Sequence, residues 1–141
     1  SDLSEYTISA DARGTRMSDQ LPDIGLTAHG YVLDLMGESQ QLQIRTWSAQ
    51  LRMAETIKFP WKEDTWYRMK FRVDIESEPP AAIAVLRGKV WPRDQEEPKA
   101  WTITARDESP NLAASPGLYG NAKVAELYLD NVEVTANTQE P

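Results

Sequence analysis

Between Trp66 and Ile75 the chain alternates without interruption: Tyr67, Met69, Phe71, Val73 and Ile75 hold one parity, and Trp66, Arg68, Lys70, Arg72 and Asp74 the other. A helix would spread both sets around its circumference, whereas a strand sends them to opposite faces. This segment is therefore read as a strand with one greasy and one charged face. The same period recurs near the start, where Tyr6, Ile8, Ala10 and Ala12 oppose Thr7, Ser9, Asp11 and Arg13, a strand with one wet face. Glycine and proline punctuate the rest, at Gly14, Pro22, Gly30, Gly37, Pro60, Pro79, Pro80, Gly88, Pro92, Pro98, Pro110, Pro116 and Gly117. Further strands are expected at 24–29, 31–36, 41–47, 51–58, 83–91, 100–106 and 123–134. Ser48 to Phe59 contains residues that a helix accepts, but its pattern favours a strand. From Leu127 and Leu129 to Val132 and Val134 the apolar parity changes, which predicts a bulge at Asp130-Asn131.

Eight or nine short strands without a convincing helix predict an all-β antiparallel sandwich. Parallel α/β architecture would need crossover helices, for which the sequence has no room. A chain of 141 residues is one domain's worth. The domain is read as 1–134, with a polar, frayed tail over 135–141.

Composition removes several functions. Fifteen basic against 22 acidic residues give −7, which argues against a nucleic-acid partner held by bulk positive charge. No cysteine is present, so disulfides, thiolate zinc sites and cysteine nucleophiles are excluded, and a single histidine, His29, excludes any site needing two imidazoles. No apolar run approaches the roughly 18 residues of a membrane span, and Ser1 to Glu5 lacks the features of a retained signal peptide.

Four constellations bear on chemistry. Asp74-Ile75-Glu76 resembles part of the laminarinase-type Glu-x-Asp-x-Glu pattern, in which carboxylates on one strand flank a glycosidic bond, but Arg72 stands at the nucleophile's position. His29, beside Gly30 between two strands, reads as a turn residue, since no serine sits in a nucleophile elbow. Asp11, Asp23, Asp34, Asp130 and Asn131 could offer oxygen to a structural calcium, yet lack the dense spacing of a loop site. Neither a catalytic residue nor a metal or other cofactor is therefore assigned.

The fourth constellation is cationic. A meander of 66–74, 83–91 and 100–106 would set Arg68, Lys70 and Arg72 beside Arg87 and Lys89 on one face, with Trp66 and Trp91 of the same parity. Such a face could meet an anionic or sugar ligand by charge and ring stacking, or could pair with carboxylates of neighbouring strands. Those seven residues form the expected ligand-binding set.

Several stretches carry a resemblance: Gly88-Lys89-Val90-Trp91-Pro92, Glu96-Glu97-Pro98, Ala100-Trp101-Thr102, Trp61 to Arg68, Ser115 to Gly120 and Leu129-Asp130-Asn131-Val132. Leu21 to Leu26 and Tyr31-Val32-Leu33 add to it. Over about 6–134 the chain resembles the C-terminal concanavalin A-like (laminin G-like) domain of bacterial proteins with pyrroloquinoline-quinone-type β-propeller repeats. The resemblance implies a jelly-roll sandwich, exported to the periplasm or beyond, attached to a larger polypeptide. It implies no activity, because related sandwiches bind sugars, process glycosides or serve adhesion. It also implies a strand ahead of the position of Ser4, whose lack would leave a sheet edge or a strip of core to be filled by another chain. Trp101, sharing parity with Ile103, is expected in the core. The functional expectation is a non-catalytic module binding carbohydrate or a partner protein within a larger assembly. The alternatives are a glycoside-processing enzyme and a purely structural subunit.

Overall fold

The structure, a computed structural model, describes residues 5–47, 53–78, 81–110, 115–122 and 125–137. Its regular elements are all strands, arranged in two antiparallel sheets of five. In spatial order the first sheet is β10 (Ala125–Ala136), β1 (Tyr6–Arg16), β6 (Tyr67–Glu78), β7 (Ala81–Pro92) and β8 (Ile103–Asp107). The second is β5 (Ala54–Lys58), β4 (Gln41–Thr46), β3 (Tyr31–Met36), β2 (Asp23–Ala28) and β9 (Gly117–Asn121).

Alternation decides which side of each sheet is greasy. Ile8 pairs with Phe71, which pairs with Gly88, which pairs with Ile103, so one inward row crosses four strands of the first sheet. On the second sheet Leu26, Leu33 and Ile44 form the equivalent row, and both sets belong to one buried core. A buried hydrogen bond crosses the sandwich, from the Tyr31 hydroxyl on β3 to Asp107 Oδ2 on β8 at 2.6 Å. Trp61 closes one end, its indole N–H donating to the Met36 carbonyl at 3.0 Å while its ring stands edge-on to Tyr67.

His29 and Gly30 form the two-residue turn of the β2–β3 hairpin, both with positive φ, 52° and 76°. That backbone matches the twist of paired strands, and Gly30 adopts it without a Cβ penalty. His29 is a turn residue as read from the sequence. It is also buried, its ring stacked on Tyr6 at 5.0 Å and its backbone N–H donating to the Tyr6 hydroxyl.

Four expectations are corrected. Gly117–Asn121 is a strand, β9, where none was expected after the punctuation at Pro116 and Gly117; pairing along β2 overrides the weak strand propensity of its two glycines. The far face of β1 is only partly wet, because Asp11 is buried beneath side chains from β6 and β10 and Thr7, also buried, donates to Asn137 Oδ1. The tail does not begin at 135: β10 runs to Ala136, and Asn137 donates through Nδ2 to the Val73 carbonyl and Asp74 Oδ1 and through its backbone N–H to the Glu5 carbonyl. Trp101 does not enter the core, since β8 starts at Ile103 and the Lys89 ammonium on the outer face lies 4.6 Å from the Trp101 ring centre. The helix-tolerant stretch yields strand from Ala54, and 48–52 lies outside the described residues.

The predicted bulge is present. Ser9 pairs with Glu133 and Asp11 with Asp130, so β10 carries one residue more than β1 there, and Asn131 takes φ 51°. Core packing sets the first quantitative expectation. Leu33, fully buried between the sheets, should cost about 2–5 kcal/mol when replaced by Ala, against less than about 0.5 kcal/mol for exposed Lys58→Ala, both read by urea unfolding.

Candidate functional site

The outer face of the first sheet collects the predicted cations. Register sets Lys70 opposite Lys89 and Arg72 opposite Arg87, with Arg68 opposite Trp91 one row on. Sequence reasoning thus aligned them correctly on one face. What surrounds them is a set of carboxylates. Arg68 Nη1 donates to Asp11 Oδ1 at 3.2 Å and Nη2 faces Glu133 at 3.6 Å. Arg72 and Arg87 both hold Asp74 Oδ2, at 2.7 and 3.0 Å. Lys70 and Lys89 share Glu97, at 3.2 and 3.0 Å.

Two members of the expected set are not surface groups at all. Lys89 is only 5% exposed and Trp91 8%. The connection between β7 and β8 is responsible, because it folds back over the sheet: Lys89 Nζ donates to the Pro98 carbonyl at 2.6 Å and sits against Glu97 and Trp101. Trp66, half-buried, carries the Arg93 guanidinium over its ring at 4.5 Å, so the face proposed for stacking already has an occupant. Burial alone would raise the Glu97 pKa, but the bonds from Lys89 and Lys70 outweigh it and hold the carboxyl below its ordinary range.

Asp11 is the hub of this face. It is buried on β1, and Arg68 from β6, Asn131 from the β10 bulge and Arg93 from the β7–β8 connection all converge on it, with Asn131 Nδ2 at 2.6 Å. Asp11 and Asn131, two of the candidate calcium ligands, are therefore in contact, but guanidinium groups take the remaining coordination. Asp23 accepts from the Gly37 backbone N–H at 2.9 Å, and Asp130 from that of Asn131 at 2.8 Å. Among the described residues no three acidic or imidazole groups converge as metal ligands.

The Asp74-Glu76 pair lies on the same outer face. Asp74 grips two guanidinium groups and the Asn137 amide, while Glu76 faces solvent. An open depression of about 500 Å3 lies beside β8, lined by Glu55, Val85, Arg87, Thr104, Ala105 and Arg106. It does not include the acid pair.

The second sheet carries a cluster that sequence reasoning missed. On its outer face Tyr119, Gly25, Asp34 and Gln43 occupy one cross-strand row. A Cβ on Gly25 would stand 3.0 Å from the Tyr119 ring, so only glycine lets that ring lie so close across the strand. Arg45 Nη1 donates to Asp34 Oδ2 at 2.7 Å and to Gln43 Oε1 at 3.1 Å. Its guanidinium lies 5.9 Å from the Trp47 ring centre and 5.8 Å from that of Tyr119. Burial pushes the Asp34 carboxyl up to about 6 against the opposing pull of Arg45, with the charge of Asp23 adding to the rise. The only sequence signal was the outward parity of Arg45 and Trp47 at the two ends of Arg45-Thr46-Trp47, and Tyr119 sat in a segment where no strand was expected.

The two sheets are also unequal at one flank. Glu133 points outward to Arg68, so Val132 and Val134 point inward, and Val134 pairs with fully buried Ile8. Yet Val132 is 46% exposed and Val134 41%, as is Leu118 on β9 at 46%. A Cβ on Gly120 would meet Leu127 at 2.6 Å, so β9 and β10 face each other across the sandwich at this flank. Among the described residues, β10 pairs only with β1 and β9 only with β2, leaving two free edges beside that apolar strip.

Compared with known proteins, the chain has no significant match to a family model, a curated protein or a solved structure.

The Asp11 hub generates a pH expectation. Burial raises its pKa, but the hydrogen bonds from Asn131, Arg68 and Arg93 and the charge of Arg68 leave it below the unfolded value. A depressed folded pKa stabilises the fold above the ordinary carboxylate range, and that contribution is lost as pH falls through the depressed value. Asp11→Asn should lower stability by about 2–3 kcal/mol at neutral pH and flatten the acid limb of stability against pH. Urea unfolding of both proteins across the acid range checks this.

Proposed function

We propose that the chain is a non-catalytic β-sandwich module that binds a partner protein across the open flank between β9 and β10. The single observation behind this reading is the exposure of Leu118, Val132 and Val134, whose side chains belong to inward rows. Burying a side chain of that size is worth about 1.5–3 kcal/mol, so a strip of three is a strong incentive for a further strand. An extended segment with alternating apolar side chains would hydrogen-bond along β10 and cover the strip, the mode called β-augmentation.

Charge narrows the partner. The outward parity of β10 carries Glu126, Tyr128 and Glu133, and the chain as a whole has an excess of seven acidic residues. The incoming strand would therefore place lysine or arginine on its solvent face. In keeping with the resemblance noted above, the sandwich would be of the concanavalin A/laminin G-like jelly-roll class, exported, and attached to or assembled with a larger polypeptide. The engagement of Asp74 by two arginines, with Glu76 facing solvent, favours binding over glycoside chemistry.

A synthetic peptide alternating valine with lysine provides the test. It should bind with micromolar affinity by fluorescence anisotropy and protect the β10 amides from hydrogen exchange, and Val132→Glu with Val134→Glu should abolish both while leaving the melting temperature near that of the parent. An unprotected β10 in the presence of excess peptide would defeat the proposal.

A further inference from the structure

Trp47, on the second sheet, has nearly half its surface, 47%, open to solvent. It is held by groups that have no need of it for core packing. Tyr119 stands edge-on at 5.0 Å and 62°, and the Arg45 guanidinium lies near both rings. Arg45 is fixed from below by Asp34 and Gln43. Asp34 is buried, and its second oxygen, Oδ1, has no hydrogen-bond partner. A buried acceptor left unmade costs roughly 1–3 kcal/mol, so Oδ1, closed from solvent near the exposed Trp47 and the half-buried Tyr119, would gain a donor only where a ligand displaces what covers it.

The chemistry of the cluster selects among ligands. Arg45 already balances the Asp34 charge, so neither a cation nor an anion finds an uncompensated opposite. A ligand offering both donors and acceptors on an apolar body suits all four groups. The C–H face of a pyranose ring lies against an indole, and its hydroxyls accept from the guanidinium N–H groups not engaged below. We infer that Trp47, Tyr119 and Arg45, backed by Asp34, form a binding site for a neutral carbohydrate on the outer face of the second sheet. This site is separate from the β9–β10 flank and does not depend on a partner strand there.

The probes are short cello-, xylo-, manno- and galacto-oligosaccharides, added to the intact chain while tryptophan fluorescence and calorimetric heat are followed. At least one series should bind saturably, and Trp47→Ala should weaken it by about tenfold or more, near the 1.4 kcal/mol such a factor represents. Arg45→Lys, which keeps the charge but loses the fork, should weaken it as well. Trp66→Ala, on the other sheet, should change nothing. Circular dichroism and the melting temperature verify that each variant is folded, and Trp47→Tyr replaces Trp47→Ala if the latter is not; a smaller platform should still lower affinity. Absence of binding across all four series overturns the inference. So does affinity that survives Trp47→Ala or Trp47→Tyr in a folded variant, or that is lost in Trp66→Ala.

Discussion

A carboxylate taken out of water must be surrounded by donors, and Asp11 shows what that requirement does to a sheet. It lies on the outer side of β1, away from the core, yet is buried because Arg68, Asn131 and Arg93 close over it. Those three residues come from β6, the β10 bulge and the connection after β7. One charge thus fixes the bulge, the middle of the sheet and the fold-back of a long connection together. The inward rows place the register break between Leu129 and Val132, and the Asp11 charge pins it there by drawing Asn131 over itself.

The neighbouring charges follow the same rule. Asp74 gathers Arg72 and Arg87, and Glu97 gathers Lys70 and Lys89. Exposed pairs of this kind contribute little singly. Lys89 is different, because its ammonium is removed from solvent and depends on Glu97, the Pro98 carbonyl and the Trp101 ring. The cationic face is thus an internal network more than a display, and a ligand there would compete with bonds already made.

Much of this was legible from parity alone. The unbroken alternation of 66–75 identified β6 and its facing residues, and the meander set Arg68, Lys70 and Arg72 on one face beside Arg87 and Lys89. The change of parity between Leu129 and Val132 located the bulge. Parity fails where neighbours decide. β9 was hidden because Pro116 and Gly117 read as punctuation and no strand was expected after them, although Gly120 lies where Leu127 approaches closely. Trp101 was misplaced because parity was extended through residues that precede β8 and belong to the overlying connection. The Trp47–Tyr119 pair was illegible for a similar reason: it joins the end of β4 to β9 across the whole width of β3 and β2, a distance no local pattern spans.

The contrast between the two outer faces bears on where recognition can occur. On the first sheet every cation named from the sequence has an acidic, carbonyl or aromatic partner, so desolvating that face would exchange good bonds for new ones at small net gain. On the second sheet the balance differs, because a guanidinium is already held in place, an aromatic surface is already open and one carboxylate oxygen is already without a donor. Affinity comes from the surplus over what binding disrupts. By that measure the sheet with fewer charges, and not the one that first draws attention in the sequence, has more to gain from a ligand.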